Sequence, residues 1–306
     1  MISDYDCVGF GICAVDYLCI VPRYPQLDEK TEAIDFSQQG GGPVPTALVT
    51  LSRLGCKTAF IGRIGNDANG KFLLNEFARE GVDTSAIIVD DSMPTNQAFI
   101  WIDQTSGKKS IVLNNQHYCA VKRSEIRCDR IRSLKFLLID GRDTEATFSV
   151  IDWAKRQGAQ IVLDAGSPRD KMDELLHRVD YPIVSESFCR NYLNIANFEH
   201  AIEALLNFGA KAAVVTCGNR GCYGGDRAGI YFQNAFPVKV VDTTGAGDVF
   251  HGAFIFGLLQ NWQTPEILKF ASATAAIKCM RIGGRLGIPN YDMVKKFMDS
   301  ISNGGE

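Results

Sequence analysis

One stretch near the C-terminal third carries most of the chemistry in this chain: Val241-Asp242-Thr243-Thr244-Gly245-Ala246-Gly247-Asp248-Val249-Phe250. It joins a strand-like run at 238–241 to a strongly apolar helical pattern at 249–259. The small residues Gly245, Ala246 and Gly247 leave backbone N–H groups uncovered where a helix begins. Those amides, with the helix dipole, attract phosphate or developing negative charge. Asp248 follows directly and stands beside that anion hole. A carboxylate there suits group transfer: it takes a proton from a hydroxyl while the amides hold the moving charge.

The elements that must position this stretch are legible as an alternation. Short apolar runs at 6–9, 58–62, 136–140, 160–164, 182–184 and 212–216 alternate with periodic segments at 46–54, 71–80, 145–157, 197–208, 249–259 and 265–280. Such alternation predicts an α/β sandwich around a mostly parallel sheet. Two stretches break the rhythm. The first, 14–39, contains Pro22 and Pro25 and has strand character without helix. The second, 95–118, alternates through Phe99-Ile100-Trp101-Ile102, turns at Gln104-Thr105-Ser106-Gly107 and returns through Ser110-Ile111-Val112-Leu113, a β-hairpin. Two β-only insertions predict a small sheet over one edge of the core, a lid that excludes water from a reaction. With no internal repeat, low-complexity tract or linker, one domain is expected over 1–306, its core in 1–13, 40–94 and 119–306 and its lid in 14–39 and 95–118.

Composition removes several function classes. The 306 residues are 46% apolar and 22% charged, which reads as an ordered globular chain. A net charge of −3 without a basic run gives no footing for nucleic acid or an anionic membrane. The opening Met1-Ile2-Ser3-Asp4-Tyr5-Asp6 is acidic and lacks an apolar core, so no signal peptide is expected. No stretch approaches the roughly 18 apolar residues of a membrane span. The 10 cysteines include no C-x-x-C pair, and Cys7, Cys13, Cys19 and Cys279 sit inside apolar patterns; free thiols in a reducing cytoplasm are expected. His117, His177, His200 and His251 are scattered without metal-ligand spacing and read as surface or packing residues.

Two glycine motifs point elsewhere and fail. Gly9-Phe10-Gly11-Ile12-Cys13-Ala14 fits a dinucleotide fingerprint, but that fingerprint must open a helix, and 15–21 reads as a strand running into prolines. Gly65-Asn66-Asp67-Ala68-Asn69-Gly70-Lys71 fits a P-loop until Phe72, where a Ser or Thr must ligate magnesium.

The run 242–248 is similar to D-T-x-G-A-G-D, the C-terminal signature of the ribokinase-like sugar kinases, the phosphofructokinase-B family. The resemblance extends over nearly the whole chain. Residues 62–70 resemble that family's G-x-x-G-x-D-x-x-G, and the segment from Gly11 to Asp16 its first strand and substrate aspartate. Gly40-Gly41-Gly42-Pro43-Val44-Pro45-Thr46-Ala47 resembles G-G-x-x-x-N-x-A, with Pro45 in place of the asparagine and Thr46 beside it as a partial substitute. Thr216-Cys217-Gly218-Asn219-Arg220-Gly221 resembles the nucleotide-side turn T-x-G-x-x-G, and 273–289, with Gly283-Gly284, the adenine-side region. Ser185-Glu186-Ser187-Phe188 stands where the family often has N-x-x-E, a departure shared by ketohexokinase-like and sulfofructose-kinase-like members. The closing run 279–289 looks most like the sulfofructose kinases.

The resemblance implies a ribokinase-like three-layer α/β/α sandwich with a β-sheet lid. It implies an ATP-dependent kinase that phosphorylates a hydroxyl of a ketose-type sugar, fructose-like or anionic such as sulfofructose. Ribose, nucleosides and sugar acids are the alternative substrates, and a non-catalytic sugar-binding relative the alternative role. Asp248 would be the base, and the amides of Gly245, Ala246 and Gly247 would hold the phosphoryl charge. Asp16, Gly41, Gly42 and Asp248 would contact the sugar, with Lys30, Asn114 and Arg142 at its far end. Thr216, Gly218, Gly221, Thr244, Gly245, Gly247, Ala276 and Gly283 would line the nucleotide. Mg2+ would be reached through water by Glu186, and a monovalent cation such as K+ would sit near the Asp242 loop. A homodimer paired through the lid is expected.

Overall fold

Runs such as Cys7-Val8-Gly9-Phe10 and Phe136-Leu137-Leu138-Ile139 are apolar at every position, which suits strands buried on both faces. In the computed structural model, which describes residues 3–303, they pair in parallel at the centre of a nine-stranded sheet. From edge to edge the order is Gly229–Gln233, Cys222–Asp226, Ala212–Thr216, Tyr181–Ser185, Gln160–Ala165, Ile131–Ile139, Ser3–Phe10, Thr58–Ile61 and Val82–Asp83. The first two strands are antiparallel additions; the other neighbours run parallel.

Alternate side chains enter two separate cores. Phe136 and Leu138 pack in the core that contains the helices Pro43–Arg53, Ala246–Leu259 and Thr264–Lys278. Leu137 and Ile139 face the opposite core, with Thr144–Arg156 and Phe198–Asn207. This is the expected three-layer sandwich. The Ala246–Leu259 helix is buried at every position from Val249 to Gly257, which is why its sequence lacks a polar stripe. Truncating Phe254, 1% exposed, to Ala would cost about 3–5 kcal/mol. That embedding fixes the helix N-terminus, where the chemistry lies.

A second, four-stranded sheet has the order Asp35–Gly41, Ala14–Val21, Gln97–Asp103, Lys109–Asn114. Its central pair is parallel, with Val15 opposite Gln97, and its outer pairs are antiparallel. The two β-only stretches therefore form a single sheet. Its strand Asp35–Gly41 runs past residue 39, so the glycine run belongs to the end of this sheet. The motif at 9–14 leads into the strand Ala14–Val21 and opens no helix. The motif at 65–71 caps the helix Ala68–Arg79, with the Asp67 carboxylate accepting the Gly70 N–H at 2.7 Å. Features outside the sequence reading include the short helix Met172–Leu176, the C-terminal helix Tyr291–Asn303, the two-stranded sheet of Arg63–Gly65 and Ile88–Asp90, and the antiparallel edge pair, whose Gly224-Gly225 reads as a turn. Among the described residues no helix is long and apolar enough to cross a membrane. All 10 cysteines are unpaired.

Candidate active site

The parallel strands finish at one edge of the sheet, where loops and helix starts conventionally gather a ligand. Gly11 follows Ser3–Phe10, Asp140 and Arg142 follow Ile131–Ile139, and Asp164 lies near the end of Gln160–Ala165. Gly245 begins the helix Ala246–Leu259 in a left-handed conformation, φ 73°. A Cβ there would stand 2.8 Å from the Gly284 Cα, so the tight turn and the close approach both require glycine. Among the described residues the Gly245, Gly247 and Asp248 amides make no hydrogen bond, whereas the Ala246 N–H donates to the Thr243 carbonyl at 3.2 Å. The uncommitted donors are thus Gly245, Gly247 and Asp248, a correction to the expected set of Gly245, Ala246 and Gly247; the helix-start turn takes the middle amide. Thr244 is also turned inward: its N–H and Oγ1 both donate to Asp242 Oδ1, at 2.8 and 2.7 Å. It shapes the loop and presents neither donor to a nucleotide.

Asp248 is half-buried. Burial, reinforced by the charge of Asp164, pushes its carboxyl up to about 6, against the pull of His251, Lys109 and Lys278. A base in that range is matched to neutral pH. One turn along, buried His251 donates from Nδ1 to the Gly247 carbonyl at 2.5 Å, and its Nε2 lies 3.7 Å from Asp164 Oδ1. From the second sheet, Lys109 Nζ donates to Thr243 Oγ1 at 3.3 Å, which brings a cation over the anion-hole loop.

Asp16 enters from the strand Ala14–Val21, 8% exposed and with no hydrogen bond to its carboxylate among the described residues. Burial pushes it up to about 7; Arg285 opposes the rise, and Asp248, Glu76 and Asp242 add to it. Gly41 lets the backbone lie on this carboxylate, since a Cβ there would stand 2.1 Å from Asp16 Oδ1. Gly42, φ 95°, starts the helix Pro43–Arg53, whose first turn buries Pro45 and Thr46. Arg285 locks the glycine run: Nη1 donates to Glu76 Oε2 at 2.6 Å and Nη2 to the Gly41 carbonyl at 3.3 Å.

At the next strand end, the Arg142 N–H donates to Asp140 Oδ1 at 3.0 Å, while Asp140 Oδ2 accepts the Ile12 N–H at 2.8 Å. Asp143 is occupied by the Tyr118 hydroxyl at 2.5 Å and the Val121 N–H at 2.9 Å. Neither aspartate forms an ion pair with the Arg142 side chain. Arg169, missed in the sequence, packs its Cγ beside Gly141. Burial, and then the charge of Arg142, hold it below the usual arginine range. Both Nε atoms are buried without a partner. Among the described residues Lys30 and Asn114 make no hydrogen bond with either arginine. Lys30 is exposed between the strands Ala14–Val21 and Asp35–Gly41, and the Asn114 Nδ2 donates to Gln97 Oε1 at 3.3 Å within the second sheet.

On the other side, the Cys217 N–H closes a turn on the Gly221 carbonyl at 2.8 Å, with Gly218 and Gly221 at φ 60° and 101°. The Thr216 Oγ1 donates to the Val184 carbonyl at 3.2 Å. A cavity of about 360 Å3 opens beside this turn, lined by Phe198, Cys217, Asn219, Tyr223, Phe232 and Asn234. Ala276 is half-buried, and the Gly283 N–H is spent on Asp242 Oδ2 at 2.7 Å. Glu186 is clamped by Arg220 and Arg190, which hold it below the usual carboxylate range. A larger cavity, about 500 Å3 between Leu54, Lys135, Phe256 and Tyr291, lies towards the opposite strand ends and includes none of these residues. Among the described residues no three His, Cys, Asp or Glu side chains gather as a metal cluster.

The sequence matches the family model for pfkB family carbohydrate kinase over residues 6–290. It is 30% identical to a ribokinase of Haemophilus influenzae, over 94% of this chain and 97% of that one. It is 27% identical to a 5-dehydro-2-deoxygluconokinase of Geobacillus thermodenitrificans, over 94% and 93%. The crystal structure of a ribokinase from Thermotoga maritima superposes with a TM-score of 0.81 at 27% identity, covering 96% of this chain and 99% of that one.

Proposed function

The chain belongs to the pfkB family of carbohydrate kinases, ATP-dependent phosphotransferases with an alcohol acceptor, and on that premise we propose that its substrate is a ketose-type sugar carrying an anionic group at the end away from the reacting hydroxyl. The observation that carries this reading is the Arg142–Arg169 pair: two adjacent guanidiniums with buried Nε atoms and no ion pair among the described residues. Two such forks fit a sulfonate, phosphate or carboxylate. A neutral, fructose-like ketose is the second reading, because Asp140 and Asp164 stand close enough to offset the charge of Arg169. Ribose, named for one relative, and a sugar acid, in keeping with another, complete the panel.

In this reading Asp16 accepts hydrogen bonds from sugar hydroxyls, and Asp248 orients the acceptor hydroxyl and takes its proton. The Gly245, Gly247 and Asp248 amides and Lys109 balance the charge on the transferring phosphoryl group. ATP lies toward the Gly218–Gly221 turn. Mg2+, when bound with ATP, would supply further positive charge. Such a metal needs one or two carboxylates beside phosphates and water. Asp164, whose carboxylate accepts one hydrogen bond, from the Gly166 N–H at 3.2 Å, fits that role better than the clamped Glu186. Two copies pair through the exposed face of the lid. Free thiols are in keeping with a cytoplasmic enzyme.

The test is kcat/KM, by coupled ADP release, for fructose, its 6-sulfo and 6-phospho analogues, ribose and a 2-keto-3-deoxy sugar acid, in wild type, R142A and R169A. An anionic sugar should lead in wild type and lose its lead in both variants. A wild-type preference for a neutral sugar, untouched by either substitution, removes the anionic reading.

A further inference from the structure

The family resemblance implies a monovalent cation beside the Asp242 loop, and the residues around that loop do not fit one. Asp242 is fully buried. Its Oδ1 accepts from Thr244 and its Oδ2 from the Gly283 N–H. Its carbonyl oxygen accepts from Lys278 Nζ at 2.9 Å, and Lys278 is itself 0% exposed. The ammonium arrives from the last turn of the helix Thr264–Lys278, next to Cys279, whose carbonyl accepts the Val241 and Asp242 N–H groups at 2.8 and 3.2 Å. The loop is thus tied to this helix end from three sides: through Lys278, Cys279 and Gly283. A carbonyl oxygen and a neighbouring carboxylate are what a bare monovalent cation would need; the carbonyl already accepts from a buried protein cation, and the carboxylate oxygens from Thr244 and Gly283. A second positive charge in the same closed pocket would meet Lys278 without water between them.

We propose that Lys278 is the built-in counter-ion of the anion-hole loop, a positioning residue whose ammonium stands in for a monovalent cation, so that this kinase works without one. The ammonium holds the Asp242 carbonyl by a hydrogen bond and offsets the charge of the nearby carboxylate. Asp242 in turn holds Thr244 through Oδ1, and the next residue, Gly245, begins the amide run. Lys278 touches no substrate; it acts by aiming those amides at the phosphoryl group. Its burial lowers its proton affinity, and the charge of Asp242 restores part of it, as expected for an ammonium retained by one specific carboxylate. No sequence motif marks Lys278. It stands at the end of an alanine-rich helical run, where a lysine reads as a solvated helix-end charge.

The inference rests on the kinase reading of this loop, and its test separates the two. Turnover of ATP by the wild-type enzyme is measured in tetramethylammonium chloride and then in potassium or ammonium chloride at equal ionic strength. The expected result is the same kcat in all three salts, with no potassium-dependent rise in Tm. In K278M, kcat should fall by about a hundredfold, the scale of a misplaced catalytic group, while the sugar KM holds, and potassium or ammonium should restore part of the loss and raise Tm. If K278M does not fold, K278Q carries the same comparison, and the wild-type salt series stands without either variant. Wild-type turnover that climbs with potassium overturns the proposal while leaving the kinase intact. So does a folded variant with unchanged kcat, or one whose loss no cation reduces.

Discussion

Asp16 is held at a cost to stability, and replacing it with Asn should expose that cost. Its carboxylate is 8% exposed and accepts no hydrogen bond among the described residues, and its proton affinity is raised to about 7. An aspartate in water titrates near ~4, and each tenfold in proton affinity is worth about 1.4 kcal/mol, so the ionised group in the sugar-free cleft costs about 4 kcal/mol. The sign follows from proton linkage. The folded state binds this proton more tightly than the unfolded chain, so stability falls as pH rises through the window from ~4 to about 7 and stays low above it. Asn keeps the shape and removes the charge. Its amide still lacks a partner, which takes back about 1–3 kcal/mol and leaves a net gain of about 2 kcal/mol at alkaline pH. At roughly 2 °C per kcal/mol for a chain of this size, sugar-free D16N should melt about 4 °C above wild type. The gain should vanish in acid, where wild-type Asp16 is already protonated. The same substitution should cost about a hundredfold in kcat/KM, because a charge-assisted hydrogen bond to the sugar is lost. Thermal melts at alkaline and acidic pH, with and without sugar, check all of this. A D16N protein less stable than wild type in alkali, or with the same pH slope, would refute the reasoning.

D248N should fold and bind ATP normally and lose at least about a hundredfold in kcat, the usual scale for a general base. In wild type, kcat/KM should begin to fall as pH drops through about 7, where Asp16 takes up its proton, and fall more steeply below about 6, where Asp248 does; a flat profile down to acid would remove Asp248 from the proton transfer. K109M should lower kcat by about tenfold or more with little change in sugar KM, and an unchanged kcat would reduce Lys109 to a tether between lid and loop. The exposed lid face, where Phe99 lies opposite Val112 and Phe36 is 58% exposed, should pair with its counterpart in a second copy; light scattering that shows a monomer at micromolar concentration contradicts this.

The layered fold was legible because buried parallel strands and amphipathic helices write different periods, as the runs at 136–140 and 145–157 do. The edge strands were not, because Gly224-Gly225 breaks the pattern and an edge pair needs no apolar run on both faces. Asp248 and its glycine turn were legible because a helix start beside a carboxylate is a local feature. The site's second half is assembled from distant residues. Arg142 and Arg169 meet only because neighbouring strands end side by side. Lys278 reaches Asp242 only because its helix ends under the loop. The orientation of Thr244 was hidden for a related reason: the Asp242 carboxylate claims both of its donors, which spacing alone does not reveal.

On the proposed reading the second sheet is part of the active site as well as its cover. One end of the Ala14–Val21 strand supplies Asp16, and the adjoining Asp35–Gly41 strand supplies the glycine backbone laid against it. The hairpin of the other pair of strands turns at Gly107, where a Cβ would lie 3.0 Å from Val240 Cγ1, and so rests on the segment leading into the anion-hole loop. Lys109 then reaches Thr243. On the proposed reading this sheet carries the sugar-binding carboxylate at one place and a phosphate-facing cation at another. The charge of Asp248 adds to the rise in Asp16's proton affinity, and on the proposed reading a sugar hydroxyl seated between the two carboxylates would relieve it. On that reading the sheet would exclude water best when the acceptor is present, which would favour transfer to sugar over hydrolysis of ATP.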